Sequence, residues 1–186
     1  KAIITLLPKV DGAVEVKDFR PVSLVHGVIK IIDKLLAVRL ALELPGLVGK
    51  HQSAFIRGRS IHDNFMLVQC MARKLHALRE PAVMLKLDIT KAFDLLAWSF
   101  LFEVLRDKGF SERWISWIAI FLTTASSRVL VNGCASDKFM YAKGLRQGDS
   151  ISPLLFVIAM DVLTHIIIKA HEAGVMSTIN GCSPMQ

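Results

Sequence analysis

Cysteine is scarce in this sequence, and the spacing of its three cysteines excludes two classes of small protein. Cys70, Cys134 and Cys182 are far apart and form no Cys-x-x-Cys pair. A disulfide framework and a zinc knuckle both require closely spaced cysteines, so we expect neither. Cysteine usage of this kind indicates a reducing, intracellular compartment, nuclear or cytoplasmic, rather than secretion.

Zinc-binding histidine motifs and long apolar runs are also missing. The six histidines include no His-Glu-x-x-His motif, and His165 and His171 are six residues apart, a spacing that puts them on different faces of a helix. The most apolar stretch, residues 154–160, is followed at once by Asp161, whereas a membrane span needs about 20 apolar residues. The sequence therefore predicts neither a zinc site nor a membrane protein.

Apolar residues, by contrast, are abundant. Of the 186 residues, 53% are hydrophobic and only 21% are charged, so the chain can bury a sizeable core and bulk disorder is excluded. The length suits one compact domain or a piece of a larger one. Because the chain starts at Lys1 rather than Met and stops just after a turn-like segment at residues 180–184, we expect it to be a piece of a longer protein.

Positive charge is concentrated in the first part of the chain. The net charge is +7, and residues 1–80 alone carry 13 basic and 7 acidic residues, a net charge of +6. Within residues 50–79, Asp63 stands alone against six basic residues, namely Lys50, Arg57, Arg59, Arg73, Lys74 and Arg79. Such a run fits either a solvated helix face or one half of a nucleic-acid cleft. The composition leaves both interpretations open.

The first half of the chain contains one strand pattern and two helix patterns. Residues 3–7 are short and β-rich, which predicts a strand. Apolar residues recur at helical spacing over residues 28–40 and again over residues 61–78, and Gly46 and Gly49 are expected to break the chain after the first of these helices. Between them, residues 52–59 are rich in glycine and arginine and predict a loop.

The second half contains a strand, two further helices and a hairpin. Residues 83–88 alternate apolar and polar side chains, which predicts a strand that ends in the carboxylate of Asp88. Helical patterns follow over residues 98–108 and, after Ser111 as N-cap, from about residue 112 to residue 123. The Asn132-Gly133 dipeptide predicts a tight hairpin between residues 128–131 and 134–141.

The last predicted element is a helix over residues 154–170. Ser152 is the expected N-cap and Pro153 the first helical residue, and because the helix is apolar nearly all round we expect it to be buried. Together the patterns predict an α+β fold, with helices packed on a small antiparallel sheet.

Two segments carry residues suited to chemistry. A carboxylate held at the end of a strand, as predicted for Asp88, suits a hard cation such as Mg²⁺, and an N-cap for the next helix is the structural alternative. Asp94 reads equally well as a first-turn helix residue. The loop at residues 144–149 reads as a plain connector or as a contact with phosphate, sugar or base through Arg146, the Gln147 amide and a backbone freed by Gly148.

Four blocks, taken in order, resemble the reverse transcriptase of non-LTR (LINE-type) retrotransposons. The blocks are Phe-Arg-Pro-Val-Ser-Leu at residues 19–24, Gln-Ser-Ala-Phe-Ile-Arg-Gly-Arg-Ser at 52–60, Lys-Leu-Asp-Ile-Thr-Lys-Ala-Phe-Asp at 86–94 and Gly-Leu-Arg-Gln-Gly-Asp-Ser-Ile-Ser-Pro-Leu-Leu-Phe at 144–156. The last is the most specific, because it is long and chemically odd for a connector. The resemblance runs from about residue 3 to the end of the chain.

The resemblance implies the fold of a right-hand polymerase, with fingers, palm and thumb. Residues 1–80 would be fingers, which is where the positive charge lies. Residues 81–109 and 144–186 would form an incomplete palm, and residues 110–143 would supply a helix and a hairpin between the two. A thumb is not expected within these residues.

The resemblance also assigns roles to two palm residues. Asp88 matches the catalytic palm aspartate that binds both Mg²⁺ ions, which lie about 4 Å apart and stabilise the attacking and leaving oxygens of an in-line displacement. Phe93 matches the steric-gate aromatic, whose ring leaves no room for a ribonucleotide 2′-hydroxyl. For Phe93 the structural alternative is a core aromatic.

Further carry-overs concern the partners of a reverse transcriptase: an RNA template, a DNA primer and deoxynucleoside triphosphates. Lys9 and Arg20 would supply cations to the incoming triphosphate or the template, although Arg20 is about as well explained by a structural role. Arg57 and Arg59 would contact template backbone. The segment Arg146, Gln147 and Gly148 would lie beside the nascent base pair, where an A-form-like hybrid is read through backbone and 2′-hydroxyls.

One departure from the family pattern bears on activity. The family supplies further metal ligands from an aromatic-x-Asp-Asp hairpin, and the 186 residues contain no Asp-Asp pair. We therefore expect a fragment that does not polymerise by itself. Two alternatives stay open. One is an inactive remnant that binds RNA or RNA–DNA hybrid. The other is a reverse transcriptase of the group II intron maturase type, which the residues of the 20–24 and 146–149 motifs fit less well than the LINE-type group.

Overall fold

The computed structural model describes residues 2–79, 81 and 83–175. Cys182, the turn-like segment at 180–184 and the end of the expected palm lie outside these residues. The described part contains six α-helices and five strands, so the α+β class is confirmed. The helices are α1 (Gly27–Leu47), α2 (Ile61–Leu78), α3 (Ala92–Leu95), α4 (Trp98–Asp107), α5 (Glu112–Thr123) and α6 (Ser152–Glu172). The strands are β1 (Ala2–Pro8), β2 (Phe19–Val25), β3 (Ser126–Val131), β4 (Cys134–Ala135) and β5 (Phe139–Met140).

The five strands form one sheet that is mixed rather than wholly antiparallel. Its order is β2-β1-β3-β4, with β5 also paired to β3. The pair β1–β2 is antiparallel, whereas β1 and β3 run parallel, with Ala2 opposite Ser127 and Thr5 opposite Leu130. The prediction of an antiparallel sheet was wrong at this pair. Apolar alternation shows which residues share a face but not which way a partner from across the chain will run.

The hydrophobic core lies between helices rather than under the sheet. Six leucines and isoleucines from four helices are fully buried, with 0% relative exposure: Leu44 of α1, Leu101 and Leu105 of α4, Ile118 of α5, and Leu155 and Ile158 of α6. Burying apolar surface of this extent is the main favourable contribution to folding. The core therefore joins parts of the chain more than 100 residues apart.

Helix α1 is longer than its sequence pattern indicated. It continues through Pro45 and Gly46 to Leu47, so Gly46 does not end it. Leu40 and Leu44 extend the buried stripe of the helix into the core. Their burial outweighs the roughly 1 kcal/mol helix penalty of a glycine.

The predicted hairpin is confirmed, with one interruption. Asn132 and Gly133 have φ angles of 50° and 81°, the positive pair that a two-residue type I′ turn requires. The return strand is split into β4 and β5, because Ser136 pairs with Val129 through its side chain as well as its backbone: its hydroxyl accepts from the Val129 N–H and its own N–H donates to the Val129 carbonyl.

The predicted strand at residues 83–88 is not formed. These residues belong to no strand, and Val83, Leu85 and Leu87 are 94%, 76% and 60% exposed. A strand is held by hydrogen bonds to a neighbouring strand, and none of the strands in the described part of the chain pairs with this segment. The alternation of apolar and polar side chains over residues 83–88 does not show whether a neighbouring strand is present to pair with them.

Helix α6 departs from prediction at both ends. Its N-cap is Ile151 rather than Ser152, whose buried hydroxyl has no hydrogen-bond partner within the part of the chain that the structure describes. Its first half is buried as expected, but Ile166 and Ile168 in its second half are 57% and 42% exposed. The apolar periodicity therefore overstated how far the core reaches along this helix.

By length and composition, α6 is also the one helix of the described residues that could cross a membrane, with a mean hydropathy of 1.8. In the sequence, Asp161 interrupts the apolar run of this helix. In the fold that aspartate is 1% exposed and hydrogen-bonded to Lys108, the C-cap of α4, and its neighbours fill the core. We interpret α6 as the core helix of this domain.

Candidate functional site

The two most specific motifs of the sequence lie against each other. The Gly144 N–H donates to the Leu96 carbonyl and the Leu145 N–H to the Phe93 carbonyl, both at 2.8 Å. The indole Nε1 of Trp98 donates to the Gly144 carbonyl at 2.7 Å. Three hydrogen bonds therefore fix the start of the 144–149 loop on α3 and on the beginning of α4.

Glycine at position 144 is required by this contact. Its φ is +81°, and a Cβ built on it would lie 2.6 Å from the Asp94 carbonyl oxygen and 2.9 Å from the carbonyl carbon. Backbone atoms cannot move aside as a flexible side chain can. Any larger residue would therefore push the loop off α3.

Phe93 packs against the hydrophobic core. The ring stacks on Phe156 of α6, with centroids 4.4 Å apart and planes 20° from parallel, and the side chain is half-buried. This contact is the one that the core-aromatic alternative predicts. The steric-gate role stays a prediction.

Asp88 lies on the exposed, unpaired segment that precedes α3. In residues 2–79, 81 and 83–175, no group of three or more His, Cys, Asp or Glu side chains could hold a metal ion. Mg²⁺ is held in proteins by oxygen ligands in near-octahedral geometry, commonly one or two carboxylates with water and phosphate. Within the described residues Asp88 therefore belongs to no cluster of three or more such ligands.

Arg146 is buried and already engaged. Its Nε donates to the Asp149 carboxylate at 2.8 Å, its guanidinium lies 4.9 Å from the centroid of the Phe121 ring, and only 6% of the residue is exposed. The pKa of the Asp149 carboxyl lies above its usual value, chiefly because the group is buried. The charge of Arg146 lowers this pKa and the nearby Asp33 raises it, but burial has the largest effect. The predicted contact of Arg146 with a ligand would compete with these interactions.

Gln147 and Gly148 are the residues that the loop presents to solvent. Gly148 has a φ of +104°, and a Cβ there would lie 3.5 Å from the Ser23 carbonyl oxygen of β2. The tip of the loop therefore lies beside the second strand of the N-terminal hairpin, where the Arg-Pro-Val-Ser-Leu block is located.

Asp33 is a functional candidate that the sequence reasoning missed. It lies in the middle of α1, is 3% exposed, and its carboxylate accepts from the backbone N–H groups of Ser150 and Ile151 at the start of α6. An acidic residue on the buried stripe of α1, in step with Leu36, Ala37 and Leu40, was the available indication. Nothing in its neighbourhood along the chain identified the partner, which is 117 residues away.

Lys9 and Arg20 lie at the same end of the β1–β2 hairpin. Arg20 is exposed and faces Leu7 in the register, and the Lys9 N–H donates to the Asp18 carbonyl at 2.8 Å. The exposed Lys9 ammonium also donates to the Lys17 carbonyl. The structure brings these two predicted triphosphate or template contacts together.

Arg57 and Arg59 differ although they are two residues apart. Arg57 is exposed. Arg59 donates from Nη1 to the Gly49 and Gln52 carbonyls at 2.6 and 2.7 Å, and from Nη2 to the Pro45 carbonyl at 3.1 Å. It therefore closes the end of α1 onto the following loop, which leaves Arg57 as the more available cation.

A second buried ion pair joins three elements behind the site. Asp161 of α6 accepts from the Lys108 ammonium at 2.6 Å and from the Gly49 N–H at 2.9 Å. Burial raises the pKa of Asp161, but these hydrogen bonds and the charges of Lys108 and His165 outweigh it, so the pKa lies below its usual value. The pair holds α4, α6 and the end of α1 together.

Comparison with known proteins agrees with the motifs. A profile of the family described as "Reverse transcriptase (RNA-dependent DNA polymerase)" matches residues 7–180. The chain is 29% identical over 164 residues to the Transposon TX1 uncharacterized 149 kDa protein of Xenopus laevis, covering 87% of this chain and 12% of that protein. It is 28% identical over 177 residues to the retrovirus-related Pol polyprotein from the type-2 retrotransposable element R2DM of Drosophila melanogaster. These residues cover 95% of this chain and 17% of that protein.

A third relative is the probable RNA-directed DNA polymerase from transposon X-element of Drosophila melanogaster, 25% identical over 146 residues, which cover 77% of this chain and 16% of the relative. The chain spans less than a fifth of the length of each of these three relatives.

Proposed function

This chain belongs to the reverse transcriptase (RNA-dependent DNA polymerase) family, and we propose on that premise that it forms the fingers and part of the palm of the RNA-directed DNA polymerase of a LINE-type retroelement. Its similarity to retrotransposon proteins confirms the family that the motifs predicted. The proposed partners are an RNA template, a DNA primer and deoxynucleoside triphosphates.

The observation that carries the proposal is the joining of the 144–149 loop to α3. Three hydrogen bonds connect Gly144 and Leu145 with the Phe93 to Trp98 segment. Two motifs about 50 residues apart therefore lie in contact, and they include exposed Gln147 and Gly148 and half-buried Phe93. Exposed polar groups beside an aromatic suit contact with the backbone and sugars of a hybrid duplex.

The proposed division into parts follows the charge and the packing. Residues 1–80 are assigned to the fingers, residues 81–109 and 144–186 to the palm, and residues 110–143 to a connection between them. Contacts of α1 with α6, and of β1 with β3, support one body in which the connecting hairpin extends the fingers sheet.

Within this division the chain's own residues bind and position rather than react. Lys9, Arg20 and Arg57 attract phosphate, Gln147 and Gly148 approach the template strand, and Phe93 limits space beside the sugar. Asp88 is the proposed Mg²⁺ ligand. Because the described residues do not complete a metal site, we propose that the remaining carboxylates come from an Asp-Asp pair of the full-length protein, which these 186 residues lack.

The first experiment measures binding of an RNA–DNA hybrid by the 186-residue chain. We expect binding that weakens steeply with salt, since it rests on phosphate contacts, and that survives Asp88→Asn. Primer extension with Mg²⁺ and deoxynucleoside triphosphates should be absent. Extension that Asp88→Asn abolishes would refute the fragment hypothesis, and a chain that does not bind hybrid at low salt would refute the proposed function.

The second experiment separates a polymerase from a remnant that only binds. In a longer protein that includes an aromatic-x-Asp-Asp hairpin, we expect primer extension that Asp88→Asn abolishes. Asp107→Asn, which removes an equal charge at an exposed position of α4, is the matched control and should leave extension unchanged. Hybrid binding with no extension by the longer protein would favour the remnant. An intracellular location, nuclear or cytoplasmic, remains part of the proposal.

A further inference from the structure

The 144–151 segment is hydrogen-bonded to other elements at both ends and exposed to solvent only in its middle. Its beginning is bonded to Phe93, Leu96 and Trp98. Its end is bonded to Asp33, which accepts from the N–H groups of Ser150 and Ile151. Gln147 and Gly148, between these anchors, are exposed.

The anchor at the end of the segment comes from a distant element. A helix N-terminus leaves N–H groups without intrahelical partners, and these are commonly satisfied by a side chain at the N-cap. The N-cap of α6 is Ile151, which has no side-chain oxygen, and the Ser152 hydroxyl has no hydrogen-bond partner among the described residues. Asp33 of α1 instead accepts from the N–H of Ile151 itself and from that of Ser150 just before it, and its negative charge complements the dipole of α6.

A buried ion pair between Arg146 and Asp149 stiffens the middle of the segment. Arg146 and Asp149 are 6% and 5% exposed and are joined at 2.8 Å, directly before and after the exposed pair. Phe121 of α5 contacts the guanidinium. The two residues between Arg146 and Asp149 are therefore held as a short projecting turn.

We propose that Asp33 is a positioning residue for nucleic-acid binding: by holding the start of α6, it sets the position of the Gln147-Gly148 turn. The role rests on the proposed function, since the turn is taken to contact a hybrid duplex. In this role Asp33 of α1, which is far from Gln147 in sequence, sets the position of the turn without contacting the nucleic acid itself.

The test begins with Asp33→Asn, which keeps the size of the side chain but leaves one of the two N–H groups facing an amide NH₂. We expect amide hydrogen exchange to accelerate about tenfold or more at whichever of Ser150 and Ile151 loses its acceptor to the amide NH₂. Exchange at Leu145, whose N–H bonds to the Phe93 carbonyl, should be unchanged. Unchanged exchange at Ser150 and Ile151 would overturn the inference without any reference to nucleic acid.

Hybrid binding then separates positioning from mere stability. We expect Asp33→Asn and Gln147→Ala each to weaken binding about tenfold, and the double variant to weaken it little more than either alone, because both remove the same contact. The matched control Asp107→Asn removes the same charge from an exposed site and should not weaken binding.

The outcomes distinguish the two proposals. Additive losses for Asp33→Asn and Gln147→Ala, or an equal effect of Asp107→Asn, would overturn the positioning role while leaving hybrid binding intact. If the unmodified chain does not bind hybrid, the proposed function fails and the positioning role fails with it. Both proposals are supported if the double variant loses little more affinity than either single variant and if faster exchange is confined to Ser150 and Ile151.

Discussion

Asp161 shows how strongly one buried carboxylate can tie this fold together. It is fully enclosed and receives hydrogen bonds from Lys108 and the Gly49 N–H. Removing one member of a buried pair leaves the other charge without its partner, so Asp161→Ala should lower the free energy of unfolding by about 3 kcal/mol. Urea unfolding measures the change, and Asp107→Ala, at an exposed aspartate of the same charge, should alter it by less than about 0.5 kcal/mol.

The same pair gives a pH dependence of defined sign. Burial raises the pKa of Asp161, but hydrogen bonds from Lys108 and Gly49 and nearby positive charge bring it below its usual value. A carboxyl with a lowered pKa stabilises the fold above its unfolded pKa, near 3.9, and loses that contribution as pH falls through the folded pKa. The stability difference between the parent chain and Asp161→Asn should therefore shrink below about pH 4. A difference that stays constant between pH 3 and pH 6 would contradict this assignment.

Arginine residues illustrate what residue type alone could not reveal. Arg57, Arg59 and Arg146 were all expected at a nucleic-acid surface. Arg59 instead donates to three backbone carbonyls, and Arg146 is buried against Asp149 and Phe121. Five donors in a planar fork suit carbonyl groups and carboxylates as well as phosphate. Their direct contacts with nucleic acid stay predictions, and only Arg57 meets them with an exposed side chain.

At the scale of elements, the contact between the 144–149 loop and α3 depends on one missing side chain. Gly144→Ala would place a Cβ 2.6 Å from the Asp94 carbonyl oxygen, in addition to straining a φ of +81°. We expect a loss of about 3 kcal/mol in the free energy of unfolding, measured by urea denaturation, together with weaker hybrid binding.

Gly109→Ala is the matched control for this change. Gly109 has a φ of +83°, but a Cβ there would meet nothing within 4 Å. It therefore reports the cost of the left-handed conformation alone, about 1 kcal/mol. Equal losses for the two variants would show that the contact with Asp94 contributes nothing.

Local patterns predicted local elements well and long-range ones poorly. Helix α2 matches residues 61–78, α5 begins after its Ser111 cap, and Asn132-Gly133 forms the expected turn. Each of these depends on side chains within a few residues of one another. The segment at 83–88 failed as a strand because strand formation depends on a partner elsewhere.

The candidate site divides in the same way. Its motifs were recognisable in the sequence, because catalytic and binding residues occur in short blocks. Asp33 was not, since its role is defined by two N–H groups that lie 117 and 118 residues further along the chain. Nor could the burial of Arg146 be read from its motif, because Phe121 contributes to it from another helix.

For the whole molecule, the uneven charge predicts which end of the chain dominates salt dependence. Residues 1–80 carry +6 of the net +7. Replacing Lys9 and Arg57 together by alanine should reduce the slope of log affinity against log salt by about 1 to 2, because each phosphate contact releases counterions. Lys138 and Lys143, both exposed beyond residue 81, form the control pair, and a double alanine variant there should leave the slope nearly unchanged. Equal slopes for the two double variants would contradict a fingers-centred contact.

The parallel pairing of β1 with β3 has a consequence for how the chain is made. Residues 2–5 meet residues 127–130, so the ribosome must translate more than 120 residues after β1 before its second neighbour exists. At about 5–20 residues per second this interval lasts roughly 6–25 s. Throughout it one edge of β1 is unpaired, and unpaired edges are where nascent chains associate wrongly. The speed of translation between β1 and β3 therefore sets how long that edge stays open to wrong association.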